Sequence, residues 1–123
     1  LNQSNKGFEF NNDVLPIKNE PIITKDVNSA FIGTDLKEQL DNLNIDTLVI
    51  AGLTTNHCVS TTTRMAGNFG YETYLISDAT ATFDRIGVNG EKYDSETIHL
   101  TTLANLNEEF ATIWDSEKLM SEI

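Results

Sequence analysis

The sequence has few of the features that define secreted, membrane-spanning or nucleic-acid-binding proteins. It contains a single cysteine, Cys58, so no internal disulfide can form. Its longest uninterrupted apolar run covers only residues 48–51, whereas a membrane-spanning helix needs about 20 apolar residues. Only 8 Lys and Arg residues stand against 19 Asp and Glu residues, and the net charge of −11 repels phosphate backbones and anionic lipid surfaces. These absences predict a cytoplasmic protein that binds neither nucleic acid nor membranes.

The length and the first residues bear on domain organisation. With 123 residues, of which 39% are hydrophobic, the chain can bury one core but not two. It begins with Leu1 rather than Met and continues through a polar, Asn-rich stretch over residues 1–13. We therefore expect a single domain over residues 1–123 that is incomplete at its N-terminal side.

Strand and helix patterns alternate after the polar stretch. Near-continuous apolar residues over 46–52 are typical of a strand that is covered on both faces of a parallel sheet. One side of a predicted helix is expected to carry Leu100, Leu103, Leu106 and Phe110. Gly70 is expected to end another helix in a left-handed conformation. The predicted strands are 20–25, 46–52, 71–77 and 111–114, the predicted helices are 35–43, 58–69 and 95–109, and residues 78–90 are predicted to be a loop. Alternation of this kind predicts an α/β fold with a parallel sheet and right-handed crossovers.

Cys58 lies where a predicted buried strand gives way to a predicted helix. Open α/β sheets bind their ligands at this end of the strands. The unpaired N–H groups of a helix N-terminus favour a thiolate over a thiol and could hold an oxyanion during acyl transfer. A nucleophilic thiol is therefore one interpretation of Cys58. A structural cysteine is the alternative, because free cysteine is among the most buried residue types.

Two segments resemble motifs of a known family. Residues 52–58, Gly-Leu-Thr-Thr-Asn-His-Cys, are similar to the nucleophile turn of the isochorismatase-like cysteine hydrolases. Residues 25–36, which begin at Lys25, resemble the lysine loop of the same family. The likeness continues through residues 64–71 and 77–83 and covers the chain from about Gly7 onward. It implies a three-layer α/β/α domain, related to Rossmann-like folds and commonly assembled into homo-oligomers.

The resemblance also implies roles for individual residues. In the family, a cysteine, a lysine and an aspartate form a triad, so that Cys58 would be the nucleophile and Lys25 the cation that stabilises its thiolate. A non-proline cis peptide between Leu53 and Thr54 would aim the amides of Thr54 and Cys58 at the oxyanion. The family's aspartate follows a first strand, and no hydrophobic run that could form this strand precedes Asp13. We therefore expect the first strand, its helix, the triad aspartate and the metal ligands of the nicotinamidase branch to be missing, with no metal or cofactor bound.

Smaller expectations concern five further residues. Phe31 lies in the lysine loop and would either line the substrate pocket or pack, and His57 would either contact substrate or be exposed. Asn56 is a pocket candidate that could also cap the helix at Cys58. Asp78 is expected to hold its loop by hydrogen bonds rather than to carry protons, and His99 to pack or lie at the surface.

Three hypotheses of function follow from these residues and from the resemblance. The first is a cysteine hydrolase that cleaves a small amide or ureido C–N bond of a small-molecule substrate through a Cys58 acyl intermediate. The second is a catalytically silent fragment or a non-enzymatic oligomerisation module, because loss of a strand would expose apolar faces and make the chain depend on another copy. The third, a flavodoxin-like nucleotide binder, lacks support because no Gly-rich phosphate loop follows any predicted strand.

Overall fold

The computed structural model describes residues 2–123. Within them, the strands are β1 (Thr47–Leu53), β2 (Glu72–Ala81), β3 (Arg85–Ile86), β4 (Lys92–Tyr93) and β5 (Thr112–Trp114). The helices are α1 (Leu36–Asn42), α2 (Ser60–Asn68), α3 (Ser95–Leu106) and α4 (Ser116–Glu122). Two short 3-10 turns, Lys6–Phe8 and Asn12–Val14, precede them, and a π-helical turn, Thr55–Val59, leads directly into α2. None of the helices in this part of the chain combines the length and apolarity that a membrane crossing requires.

A parallel sheet in the order β1-β2-β5 forms the centre of the fold. β1 pairs with β2 from Thr47 onward, and the register is interrupted between Ile50 and Gly52. After this irregularity, Gly52 faces Thr80 across the ladder. Gly52 has a φ of 124°, which only glycine adopts without steric cost, so the bulge explains why this residue type stands there. The α/β fold with a parallel sheet is therefore confirmed.

Helices lie on both faces of this sheet. On one face, α2 and α3 cover Leu75 of β2, which is fully buried with Val59, Leu103, Leu106 and Ala111. On the other face, α4 contacts β2, and its Leu119 lies beside Val49, Tyr74 and Trp114. The resulting three layers, helix, sheet and helix, agree with the expected α/β/α architecture.

Side-chain caps define where two of these helices begin. The carboxylate of Asp94 accepts a hydrogen bond from the backbone N–H of Thr97 at 2.8 Å, which starts α3. The carboxylate of Asp115 does the same for the N–H of Lys118 at 2.7 Å, which starts α4. At the end of α2, Gly70 has a φ of 89° and donates its N–H to Gly67, as predicted for a left-handed C-cap.

The prediction that the strand over residues 46–52 is covered on both faces is wrong. Leu48 and Ile50 of β1 are partly buried, whereas Val49 is 50% exposed and Leu53 is 64% exposed. β1 is an edge strand of the described sheet, and α4 covers mainly β2 on this face. One face of β1 therefore remains open.

Two further predictions about strands and loops are wrong. Residues 20–25 form no strand, because no described segment pairs with them. Residues 78–90 are not a loop throughout, since β2 continues to Ala81 and the β3–β4 hairpin follows. Between Ile50 and Gly52 the pairing advances by two residues in β1 and by five in β2, from Leu75 to Thr80, so the extra residues lie in β2. Beyond them Leu53 pairs with Ala81, which keeps this part of the chain in β2.

The expected packing of Leu100 is also wrong, since this side chain is 54% exposed. Leu103 and Leu106 are buried as predicted. With about 100° between successive residues, Leu100 lies about 120° around α3 from Leu106, outside the stripe that His99, Thr102, Leu103 and Leu106 form.

Candidate active site

The side chains of Lys25 and Cys58 meet beyond the carboxyl end of β1. Lys25 Nζ lies 3.1 Å from Cys58 Sγ and donates a second hydrogen bond to the carbonyl oxygen of Val27 at 2.8 Å. Both side chains are partly buried. The two residues are 33 positions apart in the sequence, so only the tertiary structure brings the thiol and the ammonium together.

The lysine loop is held in place by contacts with α2. The hydroxyl of Ser29, which is buried, donates to Met65 Sδ at 2.7 Å and accepts from the N–H of Phe31 at 3.1 Å. The N–H of Ala30 donates to Thr62 Oγ1 at 3.0 Å. These contacts anchor the residues that follow Lys25, and they limit the positions that its ammonium can take relative to the helix.

The turn that carries Cys58 is closed by backbone hydrogen bonds. The carbonyl oxygen of Thr54 accepts from the N–H groups of His57 at 3.1 Å and Val59 at 3.3 Å, and the peptide bond between Leu53 and Thr54 is cis. Cys58 therefore lies inside a π-helical turn, whereas the sequence predicted an α-helix that begins at Cys58 itself. The turn and α2 are nevertheless continuous.

His99 supports the same turn from α3. Its Nδ1 lies 2.8 Å from Oγ1 of Thr55, which is fully buried in the π-helical turn. The packing role expected for His99 is therefore confirmed. Its partner could not be predicted, because the two residues are 44 positions apart.

A cavity of about 490 Å³ opens beside the thiol. Both apolar and polar residues form its wall, and Lys25 and Cys58 are among the polar ones. The apolar lining residues are Phe8, Phe10, Ile22, Ile23 and Val27, and the polar ones are Gln3, Thr24, Lys25, Asp26, Asn28 and Cys58. A cavity of this size accommodates a small organic molecule.

The three pocket candidates from the sequence do not line this cavity. Phe31 packs against Phe69 with ring centroids 5.2 Å apart and stacks on Tyr71 at 6.1 Å. Of its two expected roles, this structure therefore favours packing. His57 is exposed, and its Nδ1 lies 3.3 Å from Thr54 Oγ1.

Asn56 does not cap the helix. Its side-chain oxygen accepts a short hydrogen bond from the hydroxyl of Thr82, which follows the end of β2. The residue that precedes the turn is Thr54, and its side chain forms no capping hydrogen bond. Asn56 therefore connects the Cys58 turn to β2 instead of satisfying the free N–H groups of the turn.

Several residues of the site were missed from the sequence. Asn28 Oδ1 lies 3.7 Å from Cys58 Sγ, and Phe8 and Phe10 form part of the cavity wall. Asn28 stands within the recognised motif, three residues after Lys25, which was the only available signal. Phe8 and Phe10 belong to the polar stretch over residues 1–13, and its composition did not indicate that they line a cavity.

Charged groups away from the cavity stabilise the framework. Asp78 accepts hydrogen bonds from the N–H of Ser116 at 2.7 Å and from its hydroxyl at 2.6 Å, which lowers the pKa of Asp78 below its ordinary value. Asp78 therefore forms hydrogen bonds, as expected, but it lies within β2 and binds the start of α4 instead of holding a loop. Within residues 2–123, no group of three or more His, Cys, Asp or Glu side chains is arranged to hold a metal ion.

The fold and the site together define a class of protein, an α/β domain with a thiol–ammonium pair at the carboxyl end of a parallel strand. Comparison with protein families identifies the class more closely, because the isochorismatase domain matches residues 1–118. The chain belongs to the isochorismatase family.

Individual relatives agree with this assignment. The chain is 55% identical over 118 residues to YrdC of Bacillus subtilis, an uncharacterised isochorismatase family protein. This alignment covers 96% of the present chain and 63% of YrdC. It is 34% identical over 100 residues to nicotinamidase 3 of Arabidopsis thaliana, over 81% of this chain and 45% of the relative. A crystal structure of an isochorismatase-family hydrolase from Chromobacterium violaceum superposes with a TM-score of 0.93 at 35% identity, over 97% of this chain and 62% of the other. The chain thus spans less than two thirds of the length of each of these proteins.

Proposed function

We propose that this chain provides the nucleophile of a hydrolase that cleaves a small amide or ureido C–N bond. The observation that carries the proposal is the 3.1 Å distance between Lys25 Nζ and Cys58 Sγ. An ammonium group at this distance favours the thiolate, which is the nucleophilic form of cysteine. The neighbouring cavity gives a small molecule access to the sulfur.

The proposed reaction has two stages. Cys58 Sγ attacks the substrate's carbonyl carbon, and the new S–C bond converts the carbonyl into an oxyanion, which the backbone N–H groups of Thr54 and Cys58 are proposed to hold. Collapse of this intermediate breaks the C–N bond, and the nitrogen leaves with the proton that the thiol originally gave up. Water then adds to the thioester, and the acid and the free thiol are released.

The proton must be carried from the thiol to the leaving nitrogen. The family resemblance assigns this transfer to an aspartate that follows a first strand, and no described strand precedes Lys25. Asp26 lines the cavity, but it forms no hydrogen bond with Cys58 among the described residues. We therefore propose only Cys58 and Lys25 as catalytic residues of this chain.

The comparisons support amide hydrolysis as the reaction class. Nicotinamidase 3, whose name describes an enzyme that acts on nicotinamide, is 34% identical to this chain over 100 residues. The proposal also includes one domain over residues 1–123, a small-molecule substrate and a cytoplasmic location, where a lone reactive thiol remains reduced.

The test is to trap the acyl intermediate. The purified chain is mixed with a panel of small primary amides and ureido compounds, and ammonia release is measured. The mass of the intact protein is then determined in acid-quenched samples by mass spectrometry. A mass increase equal to the acyl group, lost in Cys58→Ser and kept in the control Met120→Ser, is expected. Met120 is a suitable control because it is an exposed sulfur-bearing residue of α4, outside the cavity. Ammonia release that persists in Cys58→Ser would refute the proposed nucleophile.

A second candidate function is association with another copy of the chain without catalysis. The exposed residues Val49 and Leu53 of the edge strand β1 favour it, because open strand edges with apolar side chains promote pairing. Light scattering during size-exclusion chromatography tests this candidate. A monomer at all concentrations would contradict it, and a dimer without acyl-enzyme formation would favour it over the hydrolase.

A further inference from the structure

We propose that Asn28 is a specificity-determining residue that recognises the N–H group of the substrate's scissile nitrogen. The inference rests on the proposed function and adds a substrate feature to it. Asn28 Oδ1 lies 3.7 Å from Cys58 Sγ, and its exposed side chain lines the cavity. Asn28 was not among the candidate site residues selected from the sequence.

The bonding requirement of Asn28 changes when the thiol ionises. In the neutral form, the S–H group of Cys58 can donate to Asn28 Oδ1, which lies 3.7 Å from the sulfur. A thiolate has no hydrogen to donate, so Asn28 Oδ1 then receives no hydrogen bond from Cys58. Among residues 2–123, the structure shows no other hydrogen-bond donor to Asn28 Oδ1. A donor supplied by the substrate would satisfy this oxygen.

The geometry suits the nitrogen of a scissile amide. A carbonyl carbon poised for attack lies about 3 to 3.5 Å from the nucleophile. Its nitrogen is one bond, about 1.3 Å, further along the substrate. An oxygen 3.7 Å from the sulfur is therefore within hydrogen-bond reach of that nitrogen when the N–C bond points towards Asn28.

This contact predicts which substrates bind well. Primary amides and ureido groups carry an N–H on the leaving nitrogen, whereas esters of the same acid offer only an acceptor oxygen, which Asn28 Oδ1 would repel. The side chain is uncharged, so it discriminates through one hydrogen bond and not through net charge. The apolar residues that line the cavity, which include Phe8 and Phe10, suit an aromatic acyl group.

The experiment compares two probes that differ only at the scissile position, benzamide and methyl benzoate. Dissociation constants are measured by NMR titration of the Cys58→Ser protein, which prevents thioester formation. With Asn28→Ala added, the dissociation constant of benzamide is expected to rise about threefold to tenfold, the value of one net hydrogen bond, while that of methyl benzoate changes less than twofold. Asn28→Asp retains an acceptor oxygen and is expected to retain the preference for benzamide.

The control variant is Asn105→Ala. Asn105 is an exposed residue of α3 outside the cavity, and its removal is expected to change neither dissociation constant. Equal changes for both probes in Asn28→Ala, or an absence of benzamide binding, would overturn the inference. Selective benzamide binding that depends on Asn28, combined with no acyl-enzyme from any amide in the unsubstituted chain, would support this inference and contradict the proposed hydrolase.

Discussion

Replacing Lys25 by methionine is expected to slow alkylation of Cys58. Methionine keeps most of the length of the side chain but removes the ammonium that lies 3.1 Å from Cys58 Sγ. Because iodoacetamide reacts with the thiolate and not with the thiol, the alkylation rate reports the thiolate population. The perturbation therefore tests the contact on which the proposed function depends.

The size of the effect follows from the contact itself. A hydrogen bond to a charged group contributes about 1.5 to 3 kcal/mol, and Lys25→Met removes this contribution from the reactive form of Cys58. A less stabilised thiolate is also a stronger nucleophile, which offsets about half of the loss in alkylation rate on a logarithmic scale. The net alkylation rate is therefore expected to fall about threefold to tenfold at a pH where the thiol is largely protonated.

The assay follows loss of the free thiol with time at about pH 6.5, where an ordinary thiol is mostly protonated. The matched control is Lys92→Met, which removes the same charge from an exposed lysine of β4 whose ion pair is with Asp84 at 3.2 Å. This control is expected to react at the rate of the unsubstituted chain. A Lys25→Met rate within twofold of the control, with circular dichroism unchanged, would refute the argument that Lys25 activates Cys58.

Three predictions concern the framework. Leu106→Ala should lower the free energy of unfolding by about 2 to 5 kcal/mol in urea titrations, whereas Leu100→Ala on the same helix should change it by less than about 0.5 kcal/mol, because only Leu106 is buried. Equal effects would contradict the packing described. Gly67→Ala should cost about 1 to 3 kcal/mol, because its Cβ would lie 2.7 Å from a backbone oxygen, and Gly7→Ala, with open space around it, serves as the control. Hydrogen bonds from Ser116 lower the pKa of Asp78 below its ordinary value of 3.8. They should therefore stabilise the folded chain at pH values above 3.8, and this stabilisation should be lost as the pH falls through the lowered pKa of the folded state. In an Asp78→Asn variant this part of the acid dependence should disappear from urea titrations at a series of pH values, and an unchanged profile would contradict the role of the carboxylate.

The secondary structure was predictable where local pattern and packing agree. The helix over residues 35–43, the strands over 46–52 and 111–114 and the end of α2 at Gly70 were all expected to within one or two residues. Predictions failed where a partner strand decides the outcome. Residues 20–25 have the β-branched composition of a strand but no described neighbour, and β2 extends beyond residue 77 because Thr80 and Ala81 pair with β1.

The candidate site divides in the same way. Resemblance to two motifs of the family selected Lys25 and Cys58, which the structure brings within 3.1 Å. The pocket wall was not predictable, because Phe8 joins the cavity and Asn28 approaches the thiol only when the chain is folded. Phe31 was selected from the same motif as a pocket candidate, yet it packs against Phe69. An aromatic side chain packs equally well against a ligand or a neighbouring ring, and only the folded chain decides between them.

What the sequence alone determined about this protein is its family, its alternation of strand and helix and the two residues of its thiol–ammonium pair. The alternation follows from short-range patterns of residue types, whereas the family and the pair follow from the resemblance of two sequence segments to family motifs. Only the tertiary structure decided which face of β1 stays open, which side chains line the cavity and that Asn28 faces Cys58 across 30 positions of sequence. Such contacts depend on how separate elements pack, and packing is a property of the folded chain as a whole.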